Sequence, residues 1–247
     1  MRSYFIAGTD TDVGKTLVAA AIIYGLKQHL ASVTAMKPVA AGCDTTHDPE
    51  ESLVNIDALQ LKALVDPDIP YAYVNPKAYA EPIAPHIAAA RAQDPISVSA
   101  LLEAYRTYQQ DFPADAMVIE GAGGWQLPLS DHETMPQFVA QSGAQVVLVV
   151  GLKLGCLNHA LLTVNAIQAA GLKLCGWVGN RITAAPMAYE AENIAYLKQA
   201  IEAPCLGLLP YVEDLANHTP SADDEAKLFS ATQLQSLSQL LNLKSLL

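Results

Sequence analysis

Apolar residues in this chain gather in short, largely apolar runs rather than in alternation, at 4–7, 33–36, 116–119, 145–150, 172–178 and 205–209, each bounded by turn-forming residues. Runs of this length without a polar face predict strands buried on both sides, as in a parallel sheet. Between several of them stand segments long enough for helices, at 16–30, 99–110, 157–170 and 187–200. Strand, helix, strand alternation predicts an α/β fold with a doubly wound, mostly parallel sheet and helices on both faces. Two stretches rich in proline and acidic residues, 43–52 and 67–85, are expected to be surface loops. A Leu/Ser/Gln-rich stretch over 232–247 predicts a C-terminal helical tail, starting at about 226 and packing on the body. No internal repeat breaks the pattern, so one domain over 1–247 is expected.

Composition sharpens this picture. Hydrophobic residues make up 51% of the chain and charged ones 16%, the balance a sheet covered on both faces would produce. A formal net charge of -11 repels phosphate backbones and anionic lipid surfaces, so nucleic-acid and membrane partners are not expected. The N-terminal apolar run turns polar too soon for a signal peptide or a membrane span, which predicts a cytoplasmic protein. Cys43, Cys156, Cys175 and Cys205 lie far apart, a spacing that suits neither a zinc site nor a disulfide framework.

In open α/β sheets ligands bind outside the carboxyl ends of the strands. Four predicted strands are followed there by chemistry-bearing sequence: "GTDTDVGKT", "KPVAAG", "EGAGG" and "GLKLGCLNH". The first resembles a P-loop, Gly-x4-Gly-Lys-Ser/Thr, except that five residues separate Gly8 from Gly14. Lys15 and Thr16 would open the first long helix, so backbone N–H groups, the helix N-terminus and an ammonium would face one anion. The Thr16 hydroxyl would face Mg²⁺, and Glu120, closing the run "AMVIE", is the leading carboxylate partner. Asp57 in "NIDALQ" is a second candidate, although Asn55 or Asp57 could equally cap a helix. Lys37 ends the second strand, where it could meet the same anions as Lys15 or lie exposed as an ordinary lysine.

With these segments in hand, the chain resembles the dethiobiotin synthetase family. The resemblance is carried by "GTDTDVGKT" at 8–16, "KPVAAG" at 37–42, "NIDAL" at 55–59, "VNPKAYAEPIAPH" at 74–86, "EGAGGWQLPLSD" at 120–131, "VVGLKLGCLNHALLT" at 149–163 and "GWVGN" at 176–180. It implies a P-loop α/β homodimer that uses ATP and Mg²⁺ to close the ureido ring of dethiobiotin from 7,8-diaminopelargonate and CO₂, a cyclo-ligase of biotin biosynthesis. The implied intermediates are a carbamate and a carbamic-phosphoric anhydride, with ADP and phosphate released. By position, the resemblance implies catalytic roles for Lys15, Lys37 and Thr11, and Mg²⁺ ligation by Thr16, Asp57 and Glu120. Phosphate contacts would come from Asp12, Val13, Gly14, Lys15, Thr16 and Leu17, with Glu120, Gly121, Ala122 and Gly123 forming a turn beside both ligands. Asn180 and Arg181, with Pro210, Tyr211 and Val212, would surround the adenine. Thr11, Lys37 and Ala41 would border the carbamate. Cys156, Leu157 and Asn158 would hold the substrate carboxylate across the subunit interface.

The chain also departs from the family pattern. Ala41 stands where a serine is common, Arg181 where an aspartate often follows the asparagine, and Asn193 near the position of an expected partner-subunit tyrosine. A P-loop ATPase switch of the partitioning type is the rival reading. Such switches usually carry a further lysine early in the loop, and none lies between Gly8 and Gly14.

Overall fold

A computed structural model describes residues 1–45, 53–213 and 229–247. The strands among them are, in chain order, β1 (Arg2–Gly8), β2 (Val33–Met36), β3 (Val39–Ala41), β4 (Asp44–Thr45), β5 (Leu53–Val54), β6 (Lys77–Tyr79), β7 (Ala116–Glu120), β8 (Gln145–Leu152), β9 (Leu174–Arg181) and β10 (Cys205–Leu209). The helices are α1 (Lys15–Leu26), α2 (Ile56–Lys62), α3 (Tyr71–Val74), α4 (Pro85–Ala92), α5 (Val98–Asp111), α6 (Met135–Ser142), α7 (Cys156–Ala169), α8 (Glu190–Ala200) and α9 (Ala231–Gln239). Six strands form one sheet in the order β10-β9-β8-β1-β7-β2, every pair parallel.

The topology follows from the apolar runs. Side chains of a strand alternate between faces, yet β1 is buried at every position after Arg2 and β7 at all five of its positions. Both faces of the sheet are therefore covered, which accounts for runs without alternation. The chain starts in a central strand and winds outward in both directions, so a switch point falls beside β1, where a crevice for a ligand opens.

The C-terminal tail folds back on this sheet. Helix α9 packs along α1, and the 3₁₀ turn Leu243–Ser245 closes over Gly25, where a Cβ would come within 2.5 Å of Leu243 Cδ1. The Asn242 N–H donates to the Leu206 carbonyl at 2.6 Å, and the Tyr4 hydroxyl to the Leu246 carbonyl. The tail's expected beginning, 226–228, lies outside the described residues.

Three expectations need correction. The stretch 67–85 is no surface loop: it carries α3 and β6 and reaches into α4, with Ile69, Tyr71, Val74 and Tyr79 in the core. Two of its prolines open helices instead of breaking them, Pro70 capping α3 and Pro85 starting α4. In the other expected loop, Cys43 is buried and β4 pairs antiparallel with β5, while 46–52 lies outside the described residues. Helix boundaries also shift. Helix α1 ends at Leu26, with 27–30 in tight turns, and α8 begins only at Glu190 because Tyr189 adopts a left-handed φ of 55°.

Candidate functional site

Strand β1 delivers the chain to the sheet's carboxyl edge, where residues 9–14 loop around into α1. Gly8 is required as the exit: a Cβ there would lie 2.8 Å from the Asp10 carbonyl and 2.9 Å from Val13 Cγ2. This explains the displaced glycine, which serves the crowded turn out of the strand and leaves Gly14 to open the helix. Gly14 takes φ 86°, a left-handed value that glycine adopts without strain, and Asp12 takes φ 56°. The Lys15 ammonium folds back over the loop to the Asp10 carbonyl at 3.1 Å and is 7% exposed. Asp10 also accepts the Thr11 N–H at 2.9 Å and the Lys153 ammonium at 3.1 Å, which ties the loop to the turn after β8. Lys153 holds the Asp10 carboxyl below the usual aspartate value. Nothing in the sequence pattern marked this pair.

The charged centre lies on the other side, over the ends of β2 and β7. Lys37 is 3% exposed, and its ammonium contacts Asp57 Oδ2 at 2.8 Å and Glu120 Oε1 at 2.9 Å. The exposed-lysine alternative is thereby excluded. The Thr16 hydroxyl donates to Glu120 Oε1 at 2.9 Å. Asn55 does cap α2, accepting the Ala58 N–H, and so frees Asp57 in the first turn to face Lys37. Burial alone would lower the Lys37 pKa, but the two carboxylates outweigh it and hold it above the ordinary lysine value. Burial would likewise raise the Asp57 carboxyl, yet Lys37 and the Thr16 hydroxyl keep it below the usual aspartate value. Glu120, 1% exposed, is pushed up by burial, and Lys37 only partly offsets this. At Lys15 burial lowers the pKa against the pull of Glu120, with Lys37 close enough to add repulsion.

The Thr16 hydroxyl, Asp57 and Glu120 are hard oxygen donors of the kind Mg²⁺ prefers. Glu120 Oε2 is buried without a hydrogen-bond partner, so the set fits a magnesium ion and leaves one ligand atom to spare.

A cavity of about 1410 Å³ opens over these groups. It brings together Thr11, Asp12, Gly14, Lys15, Thr16, Leu17, Lys37, Ala41, Asp57, Glu120, Ala122, Gly123, Asn180, Arg181, Tyr211 and Val212. Other candidates lie off its wall. Val13 is fully buried beneath the loop, Gly121 sits against the Phe5 ring, and Pro210 lines a separate cavity of about 560 Å³. Cys156, Leu157 and Asn158 stand at the start of α7 and do not line the cavity of their own chain. Asn180 is 3% exposed and donates from Nδ2 to the Val13 carbonyl at 2.9 Å, leaving Oδ1 unpartnered. Arg181 reaches Glu190 Oε1 with Nε at 2.8 Å and Nη2 at 2.6 Å. Trp125, Leu127, Pro82 and Ile83 add apolar side chains to the lining.

No helix among the described residues is long and apolar enough to cross a membrane. A family model described as an AAA domain matches residues 2–219. The chain is 44% identical to the ATP-dependent dethiobiotin synthetase BioD of Marinobacter nauticus over 213 residues, 86% of this chain and 89% of that protein. It is 46% identical to the protein of the same description from Chromohalobacter salexigens over 229 residues, 90% of this chain and 94% of the relative. Among solved structures it resembles a ParA family ATPase from Chlorobium tepidum, with a TM-score of 0.54, 11% identity and coverage of 97% and 91% of the two chains. The MinD cell division protein of Aquifex aeolicus gives a TM-score of 0.52 at 12% identity over 97% and 95%. At that identity the two structural likenesses show the fold alone, and it is the P-loop ATPase fold.

Proposed function

The chain belongs to the ATP-dependent dethiobiotin synthetase family, and from that premise we propose that it closes the ureido ring of dethiobiotin at the cavity over β1, β2 and β7. The observation that carries the assignment of residues is the ion-paired triad of buried Lys37 and Glu120 with half-buried Asp57, beside Thr16 and Lys15. The reaction brings a carbamate and a triphosphate together, two anions that repel. Two ammonium groups at the meeting point lower that barrier, more strongly where water is excluded.

One amine of the diamine takes up CO₂ and loses a proton to give the carbamate. A carbamate oxygen then forms a bond to the γ-phosphorus as the bond to the ADP oxygen breaks. The second amine attacks the carbamoyl carbon and loses a proton, the bond to the phosphate oxygen breaks, and phosphate leaves. Lys15 would hold the β- and γ-phosphate oxygens, and the N–H groups of residues 12–17 would cradle the chain of phosphates. Lys37 would turn from the carboxylates to the carbamate, with Thr11 opposite. Thr16, Asp57 and Glu120 would hold Mg²⁺, which when bound neutralises charge on the phosphates.

The apolar side chains of Trp125, Leu127, Pro82 and Ile83 suit the alkyl chain of the diamine. Its carboxylate would reach Cys156, Leu157 and Asn158 of a second copy at the start of α7, a helix N-terminus that favours an anion. The protein would then act as a homodimer in the cytoplasm. Leu154, 96% exposed just before α7, would be covered by such a partner.

The test mixes purified protein with diaminopelargonate, bicarbonate and Mg-ATP, and follows phosphate release and product mass. Phosphate that appears only with the diamine, one per product heavier than the diamine by one carbonyl less two hydrogens, is the expected result, with a Lys37→Gln variant slowed at least about 100-fold. Phosphate release indifferent to the diamine would overturn the assignment in favour of a switch-type ATPase.

A further inference from the structure

The cavity is lined by charged groups and backbone N–H donors around the phosphate loop and also by apolar side chains, among them Leu17, Ile182, Tyr211 and Val212. One residue of that lining comes from the far end of the chain: Phe229, the first described residue of the C-terminal segment, two positions before α9. We propose that Phe229 is a binding residue for the adenosine half of ATP, its ring forming a wall against the planar base.

Phe229 is held in place from both sides. Its N–H donates to Gln60 Oε1 at 3.0 Å, and Gln60, 7% exposed, lies one helical turn beyond Asp57 on α2. On the other side Ser230 caps α9, accepting the Gln233 N–H while the Gln233 side chain accepts the Ser230 N–H. The reciprocal cap fixes the direction in which the chain enters the helix, and α9 is in turn packed along α1, the helix that starts at the phosphate loop. The ring itself is half-buried and packs against the core, so it is pinned on the protein side and faces the cavity with the remainder. An aromatic ring in that position has nothing to offer a phosphate, but its flat apolar face matches a nucleobase, which stacks on aromatics irrespective of its hydrogen-bonding edge. The edge is left to Asn180, whose Oδ1 lacks a partner. The same hydrogen bond ties Phe229 to the helix that bears Asp57.

This inference rests on the ATP-dependent reading above, and its test separates the two. Dissociation constants for Mg-ATP and for inorganic tripolyphosphate, which has the phosphates without the nucleoside, are measured for the wild type, Phe229→Leu and Phe229→Tyr. Leucine keeps the apolar bulk without the ring, and tyrosine keeps the ring. Phe229→Leu should weaken ATP about tenfold and leave tripolyphosphate within about twofold, while Phe229→Tyr stays near the wild type for both. If Phe229→Leu binds ATP as the wild type does, or loses both ligands equally, the ring does not touch the adenosine half and the inference falls alone. A wild type that binds no ATP would overturn it together with the functional reading.

Discussion

Replacing Lys37 with methionine removes the ammonium but keeps the length of the side chain, and leaves two carboxylates facing each other at the edge of the sheet. At 2.8 and 2.9 Å each contact is worth roughly 6 kcal/mol of attraction at an effective dielectric of 20, before desolvation is subtracted. Glu120, 1% exposed, loses its counter-ion where water cannot replace it, whereas the Asp57 side chain is 38% exposed and recovers part of its hydration. Breaking a buried pair from one side costs about 3–5 kcal/mol, and with the Asp57 arm discounted about 3 is expected. For a chain of this size that corresponds to a loss of about 6–12 °C in the melting temperature of the ligand-free protein. The deficit should shrink as pH falls, because the stranded Glu120, already pushed above the ordinary glutamate value by burial, takes a proton. Adding Glu120→Gln removes the stranded charge, so the double variant should melt above the single one. Thermal unfolding at several pH values reads all three. A shift under about 2 °C, or a double variant no better than the single, would refute the view that the triad is a coupled buried network.

Further expectations follow from the same geometry. Gly14→Ala should abolish nucleotide binding, by at least about 100-fold in calorimetry, because its Cβ would lie 2.1 Å from Asn180 Nδ2 at a backbone φ of 86°; retained affinity would mean that Asn180 yields freely. Asp57→Asn should flatten the acid limb of stability: a carboxyl held low in the folded state contributes stability above the ordinary aspartate value of about 4 and loses it as pH falls through the folded value. A variant with an unchanged acid slope would show that Asp57 is not the titrating partner. Ala41→Ser should raise kcat/KM for the diamine about tenfold, since one donor to a charged group is worth roughly 1.5–3 kcal/mol; unchanged kinetics would show that a hydroxyl on β3 does not reach the carbamate.

How much of this was legible in the chain depends on how far apart the cooperating residues stand. The loop from Gly8 to Thr16 is local, so its strand, turn and helix could be read directly, and the runs that became β1, β2, β7, β8, β9 and β10 announced themselves by lacking a polar face. The stretch 67–85 was misread because proline and acidic residues look alike in loops and at helix starts; only the packing of Tyr71, Val74 and Tyr79 distinguishes them. Lys37 is the instructive middle case. Its position after a strand suggested the site, yet the chain pattern could not choose between an exposed lysine and a buried one. The choice is made by Asp57 and Glu120, 20 and 83 residues away, and the Glu120 charge is itself tolerable in the interior because Lys37 meets it. Phe229 lies further still, 169 residues from the Gln60 that holds it, and no periodicity or motif connects the two. Residues whose role is set by their neighbours along the chain are legible early, and those whose charge or ring has meaning only against a distant partner wait for the fold to bring that partner into reach.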